Sequence, residues 1–185
     1  GAHPSYPDKV GFGRRSIKCS SSEIITLMHY QIAALDGMAK VHDIDISYVK
    51  PHGALYNDMM SNDVVIESVF QAISQYHRPL KLMLLATGDV EQHKIKAQNY
   101  GIELVFEAFA DRRYTEQGTL LSRQHPQAML TKQETIGQVA RLINQGSILC
   151  QSGKAIRLHA DCVCVHGDND QAIDIIKELK SLCLN

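Results

Sequence analysis

Lys50 and His52 lie in the stretch YVKPHGALYN, residues 48–57. They directly follow an apolar run (Ile44, Ile46, Tyr48, Val49) that reads as a buried strand. An ammonium and an imidazole at a strand exit can neutralise developing negative charge and move a proton. Comparable groups follow the other apolar runs. His3 leads into Pro4-Ser5-Tyr6-Pro7-Asp8, Asp111 stands with Arg112 and Arg113, His159 with Asp161, and His166 with Asp168. Thr87-Gly88-Asp89 closes the run 80–86. Together they supply cations for an anion, imidazoles for acid–base work and carboxylates to orient them.

Positioning such groups requires elements that alternate. Ser20-Ser21-Ser22-Glu23 and Thr131-Lys132-Gln133-Glu134 are capping boxes that open two helices. Ile24, Ile25, Met28, Ile32, Leu35 and Ala39 form the apolar stripe of the first, and Ile136, Val139, Ala140 and Ile143 that of the second. Val65, Val69, Ile73 and Tyr76 mark a further helix ending before Pro79. Ala172, Ile175, Ile176, Leu179 and Leu182 mark a last one, with Asp168 as its N-cap, and a weaker pattern covers 90–99. Between them, residues 44–49, 80–86, 102–109 and 162–166 read as strands, with 155–159 a weaker candidate. Strands alternating with helices predict a parallel sheet of about five strands whose exits converge at one end. The polar stretch 111–130 reads as a long functional loop.

Composition narrows the function. The chain has 185 residues, 44% hydrophobic and 21% charged, with a formal net charge of −1. That balance predicts a single globular domain over 1–185 with no nucleic-acid footprint and no membrane association. Five cysteines without a CxxC pair suit a reducing, cytoplasmic setting, with Cys162 and Cys164 read as small buried hydrophobes. His159, Asp161, His166 and Asp168 have the chemistry to hold a divalent cation, although their spacing matches no specific metal motif. There is no GxxxxGK[ST] loop. Singly, each of these groups also has an ordinary reading: Asp168 as a helix cap, Arg112 and Arg113 as solvated loop charges.

Four longer stretches, GAHPSYPDKVGFGRR, YVKPHGALYN, FEAFADRRYTEQGTLLSRQHP and VCVHGDNDQA, resemble the LamB/YcsF family, also known as the family of 5-oxoprolinase A subunits. They occur in order from residue 1 to about residue 180. The resemblance implies a (β/α) barrel of the seven-stranded glycoside hydrolase/deacetylase type. Gly1 matches the end of the family's third strand, so about two N-terminal βα units are expected to be lacking, leaving an open edge that favours homo-oligomers. Asp170 and Gln127 replace a usual proline and glycine.

The implied function is ATP-dependent opening of the 5-oxoproline (pyroglutamate) lactam to L-glutamate, with ATP as co-substrate, Mg2+ accompanying it, and 5-oxoprolinase B and C subunits as partners. The family motifs single out His3 and Asp8; Lys50, His52 and Asn57; Asp111 and Arg112; and His166 and Asp168. Chemistry then suggests that Lys50 and Arg112 neutralise phosphate or an oxyanion, and that His52 transfers protons. Asp111 would orient or activate a nucleophile. His166 and Asp168 would complete a polar rim, or hold a cation with ATP, and His3 and Asn57 would contact substrate or phosphate. The alternatives are a metal-dependent deacetylase or amidohydrolase on the same barrel, and a non-catalytic substrate-binding scaffold.

Overall fold

The computed structural model describes residues 1–167 and 171–183 and divides into two compact units. The first comprises Gly1–Leu84 and Glu91–Val105, the second Leu85–Val90 and Phe106 onward. The elements are α1 (Ser21–Lys40), β1 (Tyr48–Val49), α2 (Gly53–Ser61), α3 (Asp63–Ser74), β2 (Lys81–Leu85), α4 (Val90–Gln98), β3 (Leu104–Phe109), α5 (Lys132–Gln145), β4 (Ser147–Leu149), β5 (Ala155–Arg157), β6 (Cys162–Cys164) and α6 (Ala172–Cys183).

In the first unit β1 pairs in parallel with β2, and Leu82 donates to the Glu103 carbonyl just before β3. Ala2 bridges Val49 in parallel on the other side of β1. α1 packs against α3. The expected capping box at Ser20 and Glu23 is present, and the buried face of α1 runs Ile24, Met28, Ile32 and Asp36 at four-residue spacing. Each fully buried aliphatic residue of that face stabilises the unit by about 1.5–3 kcal/mol. Leu35, expected on this stripe, is exposed instead. The four-residue rhythm carries Asp36 inward, where Arg78 Nη2 (2.6 Å) and the Tyr76 hydroxyl (2.9 Å) donate to it. Arg78 also donates to the Ile46 carbonyl, so the one buried carboxylate of α1 ties the helix to the approach to β1.

In the second unit β3 pairs in parallel with β6, and Ala86, following β2, donates to Glu107. α5 and α6 pack together, with Ala110, Val139, Ile175 and Leu179 buried between them and Ile136, Val163, Val165 and Leu182 around the margin. The predicted Thr131–Glu134 capping box opens α5, and Gly146, at φ 60°, closes it.

Several sequence expectations change. The strand expected over 44–49 is ordered as a strand only at Tyr48–Val49, and Ile44 is exposed. The sequence reading placed no helix after Lys50, since Pro51-His52-Gly53 carries turn residues, yet Leu55, Tyr56 and Met59 are buried along α2. β5 pairs antiparallel with β4, which the sequence reading did not identify, in a hairpin turned at Gly153. It therefore adds no parallel strand, and grouping His159 with the parallel exits loses its basis. Cys162 and Cys164 are half-buried, not buried. The N-cap proposed for Asp168 lies outside the described residues.

Three buried aspartates make stability sensitive to acid. Hydrogen bonds from Arg15 hold Asp8 at about 2, and those from Arg78 lower Asp36. Burial pushes Asp111 up, but hydrogen bonds and charge from His166 outweigh it and the net shift is downward. A carboxyl depressed in the folded state stabilises above its unfolded value of about 4 and loses that contribution as pH falls through the folded value. The expected outcome is flat stability from about pH 7 to 4, then a steep loss towards pH 2, read by circular dichroism across a denaturant series.

Candidate active-site residues at two strand exits

At the exit of β1, backbone pairing comes first. Ala2 donates to Tyr48 and Lys50 donates back to Ala2, both at 2.9 Å, so His3 leaves the ladder beside Lys50. His3 Nδ1 lies 2.5 Å from the Lys50 carbonyl oxygen, and His3 Nε2 lies 3.0 Å from His52 Nδ1. His52 Nε2 lies 2.9 Å from the Phe12 carbonyl oxygen. The two imidazoles meet edge-on, with ring centroids 4.7 Å apart. His52 holds the N-cap position of α2, yet its ring makes no cap hydrogen bond; it is turned to His3 and Phe12 instead. The Lys50 amine stands 5.9 Å from the centre of the Tyr56 ring, within cation–π range. Asn57 is exposed on α2.

The loop 5–15 is braced by Asp8. Its carboxylate accepts from the Gly11 amide and from the Arg15 guanidinium, and its carbonyl accepts from Gly13. Gly13 in turn accepts from Ala54 at 2.8 Å, docking the loop onto the first turn of α2. Gly53, at φ 61°, makes this approach practicable, because a Cβ there would lie 2.3 Å from the Gly13 carbonyl oxygen. Gly53→Ala is expected to destabilise the protein by about 2 kcal/mol, from left-handed strain plus this clash. Chemical denaturation would measure it, with an unchanged midpoint contradicting the packing.

At the exit of β3 the register itself makes the site. Phe109 pairs with Cys164, an offset of 55 residues. Two residues further on, the same offset brings Asp111 to His166. The Asp111 carboxylate accepts from the His166 amide at 3.0 Å and from His166 Nδ1 at 2.8 and 3.1 Å. Asp111 is fully buried, while the His166 ring is 21% exposed and stacks on Phe109 with centroids 5.2 Å apart. Since an ionised carboxylate only accepts, Nδ1 carries hydrogen and Nε2 is left for other partners. A buried carboxylate holding one imidazole nitrogen is a general means of fixing a histidine for proton transfer.

Arg112 is buried, and its Nη2 donates to the Leu121 carbonyl at 2.6 Å. Arg113 donates to Gln127 and Glu134. The two arginines thus organise the loop that sequence reading assigned to 111–130. Three further residues of this unit had escaped notice. Gln138 on α5 donates to the carbonyls of Phe109, Ala110 and Arg112 at 2.9–3.1 Å, pinning the turn that carries Asp111. Tyr114 is buried and its hydroxyl accepts from the Phe109 amide at 2.7 Å. Burial, with the Glu107 charge nearby, pushes its ionisation well above the usual tyrosine range despite the Phe109 hydrogen bond. Glu107, 1% exposed in the middle of β3, is a carboxyl at a position a strand normally fills with an apolar side chain. An acid flanked by Phe and Ala inside a β run was the available signal.

Asp161 accepts from the Phe106 amide at 2.8 Å, His159 is exposed beyond the β5 hairpin, and Asp168 lies outside the described residues. Among the described residues, no three histidines, cysteines or acids are grouped to hold a metal ion. Nor, among them, is any helix long and apolar enough to cross a membrane.

Parallel strands alternating with helices, with ionisable groups just past the strand ends, define an α/β protein. The chain belongs to the LamB/YcsF family, whose model matches residues 1–184. It is 47% identical over 181 residues to the second 5-oxoprolinase A subunit of Pseudomonas putida, covering 97% of this chain and 70% of that protein. It is 45% identical to the 5-oxoprolinase A subunit of Vibrio parahaemolyticus, with 97% and 71% covered. The crystal structure of a lactam utilization protein from Thermus thermophilus superposes with a TM-score of 0.87 at 30% identity, over 100% of this chain and 72% of that one.

Proposed function

We propose that this chain serves as the A subunit of an ATP-dependent 5-oxoprolinase, in which the lactam of 5-oxoproline is opened to L-glutamate as ATP becomes ADP and phosphate. The observation that carries this reading is the 47% identity, over 97% of the chain, to a protein named as a 5-oxoprolinase A subunit. The remaining parts of the proposal are a (β/α) barrel, a cytoplasmic location, Mg2+ entering with ATP, and partners of the B and C type.

The exits supply the chemistry such a reaction needs. A lactam is a poor electrophile until its oxygen is phosphorylated or otherwise neutralised, and the ring nitrogen must be protonated to leave. Lys50, at the exit of β1, offers a positive charge for phosphate or an oxyanion, and Arg112, at the exit of β3, offers one there. His52 moves the proton. Asp111 holds His166 so that Nε2 is presented to a reacting group, and Asn57 borders the substrate, with Asp168, which lies outside the described residues, as a further candidate contact.

The test is an assay of the chain assembled with B and C subunits, following ADP release and glutamate formation together. Turnover that requires both 5-oxoproline and ATP is expected. Amide hydrolysis that ignores ATP and tracks a bound metal would favour a deacetylase-type enzyme. Normal assembly with unchanged turnover after loss of both Lys50 and His52 would favour a scaffold.

A further inference from the structure

We propose that His3 and His52 hold one extra proton between them as a cationic bis-imidazole pair, and that this pair is the proton donor at the exit of β1. The donor role rests on the function proposed above; the shared proton does not.

The contacts count the protons. The Lys50 and Phe12 carbonyl oxygens can only accept, so His3 Nδ1 and His52 Nε2 must both carry hydrogen. A neutral imidazole has one N–H, so that requirement uses the hydrogens of two neutral rings. The remaining nitrogens, His3 Nε2 and His52 Nδ1, still face each other at 3.0 Å. Two lone pairs at that distance repel, whereas N–H···N at that distance is an ordinary hydrogen bond. One additional proton satisfies all three contacts, and the pair then carries a single positive charge.

The surroundings are built to keep these orientations. Lys50 is fixed by its backbone bond to Ala2, and the His52 amide donates to Pro4 at 2.8 Å. Phe12, whose carbonyl receives His52, adopts φ 55°, a left-handed conformation costly for a bulky side chain, and its exposed ring stands edge-on to His52 at 5.2 Å. Charged groups on the segments that contact the pair include Lys50, its amine 5.9 Å from the Tyr56 ring centre, Arg14, its guanidinium 5.6 Å from the Phe12 ring centre, and the Asp8–Arg15 ion pair.

This gives His3 a positioning role distinct from binding phosphate, because both its ring nitrogens are engaged within the protein. In the reaction, the lactam oxygen takes the terminal phosphoryl group of ATP as ADP leaves, and the ring carbon then gains the oxygen of water. As the C–N bond breaks, its electron pair goes to nitrogen and the pair's proton joins it there, leaving an acyl phosphate that a second water splits into glutamate and phosphate. The proton shed by the attacking water returns to the pair through solvent, restoring the third hydrogen bond.

The experiment is nitrogen NMR of the 185-residue chain with labelled histidine, after EDTA treatment. Scalar coupling across the His3 Nε2–His52 Nδ1 bond is expected, with His3 Nδ1 and His52 Nε2 protonated. The coupling should vanish in His3→Gln and, separately, in His52→Gln, each checked for folding by circular dichroism. Rings without coupling in the folded wild type overturn the proposal, as does a ring contact that forms only with a divalent cation. In the assembled enzyme, His3→Gln should reshape one limb of the pH–rate profile while leaving KM nearly unchanged. An unmoved profile alongside intact wild-type coupling overturns the donor role alone. Absence of 5-oxoproline-dependent turnover in the wild-type assembly would sink the functional reading and leave the NMR result to judge the pair.

Discussion

Lys50→Ala is expected to lower 5-oxoproline-dependent ATP turnover by on the order of 100-fold or more, the scale of losing one donor aimed at a developing oxyanion. His52→Ala should lose a comparable factor, yet the two variants should differ in kind. Without Lys50 the deficit should persist across pH, because a fixed charge is gone. Without His52 one limb of the pH–rate profile should flatten, because the proton-transfer group is gone. Stability should separate them too. The Lys50 ammonium lies against Tyr56 and its removal should cost less than about 1 kcal/mol. His52, at the start of α2, meets loop 5–15 through Phe12 and the segment before it through His3, and two lost hydrogen bonds should cost about 2 kcal/mol. The measurement is steady-state turnover from about pH 5 to 9 on assembled protein, beside denaturant melts. Wild-type rates in both folded variants would contradict the assignment.

Asp111→Asn should have the second large effect. The substitution keeps the shape but places an NH2 or a weaker acceptor against the His166 Nδ1–H and amide, which the carboxylate now satisfies at 2.8–3.1 Å. Loss of a charged acceptor at a fully buried position should cost about 2–3 kcal/mol. The imidazole would also be free to take the other tautomer. Where a buried Asp fixes a catalytic His, the same change lowers kcat by about 10^4; a fall of on the order of 100-fold or more is expected here. The stability loss should fade below about pH 4, since the wild-type carboxylate then loses its own advantage. A variant with wild-type stability at neutral pH, or with wild-type turnover once shown to be folded, would remove Asp111 from the working site.

Much of this was legible in the residues. Capping boxes at Ser20 and Thr131 are local: the side chain and backbone that bond each other are three residues apart, so sequence specifies them directly. The long amphipathic helices, and β2 and β3, follow from periodicity for the same reason. Lys50, His52, Asp111 and His166 stood out because polar groups end apolar runs.

The partnerships among those residues needed the tertiary structure. Asp111 meets His166 because β3 and β6 align with an offset of 55 residues, and His3 meets His52 because Ala2 bridges Val49. These pairings join segments about 50 residues apart, and no local pattern names the partner of either strand. The same holds for Asp36, whose inward turn depends on Arg78 reaching it, and for Glu107, whose burial depends on the neighbours of β3. The helix α2 was hidden because Gly53 reads locally as a turn, and only the approach of Gly13 to within a Cβ's breadth explains why a glycine must stand there. Sequence alone singled out the candidate side chains; long-range backbone pairing decided which of them touch, because hydrogen-bond geometry acts across space and not along the chain.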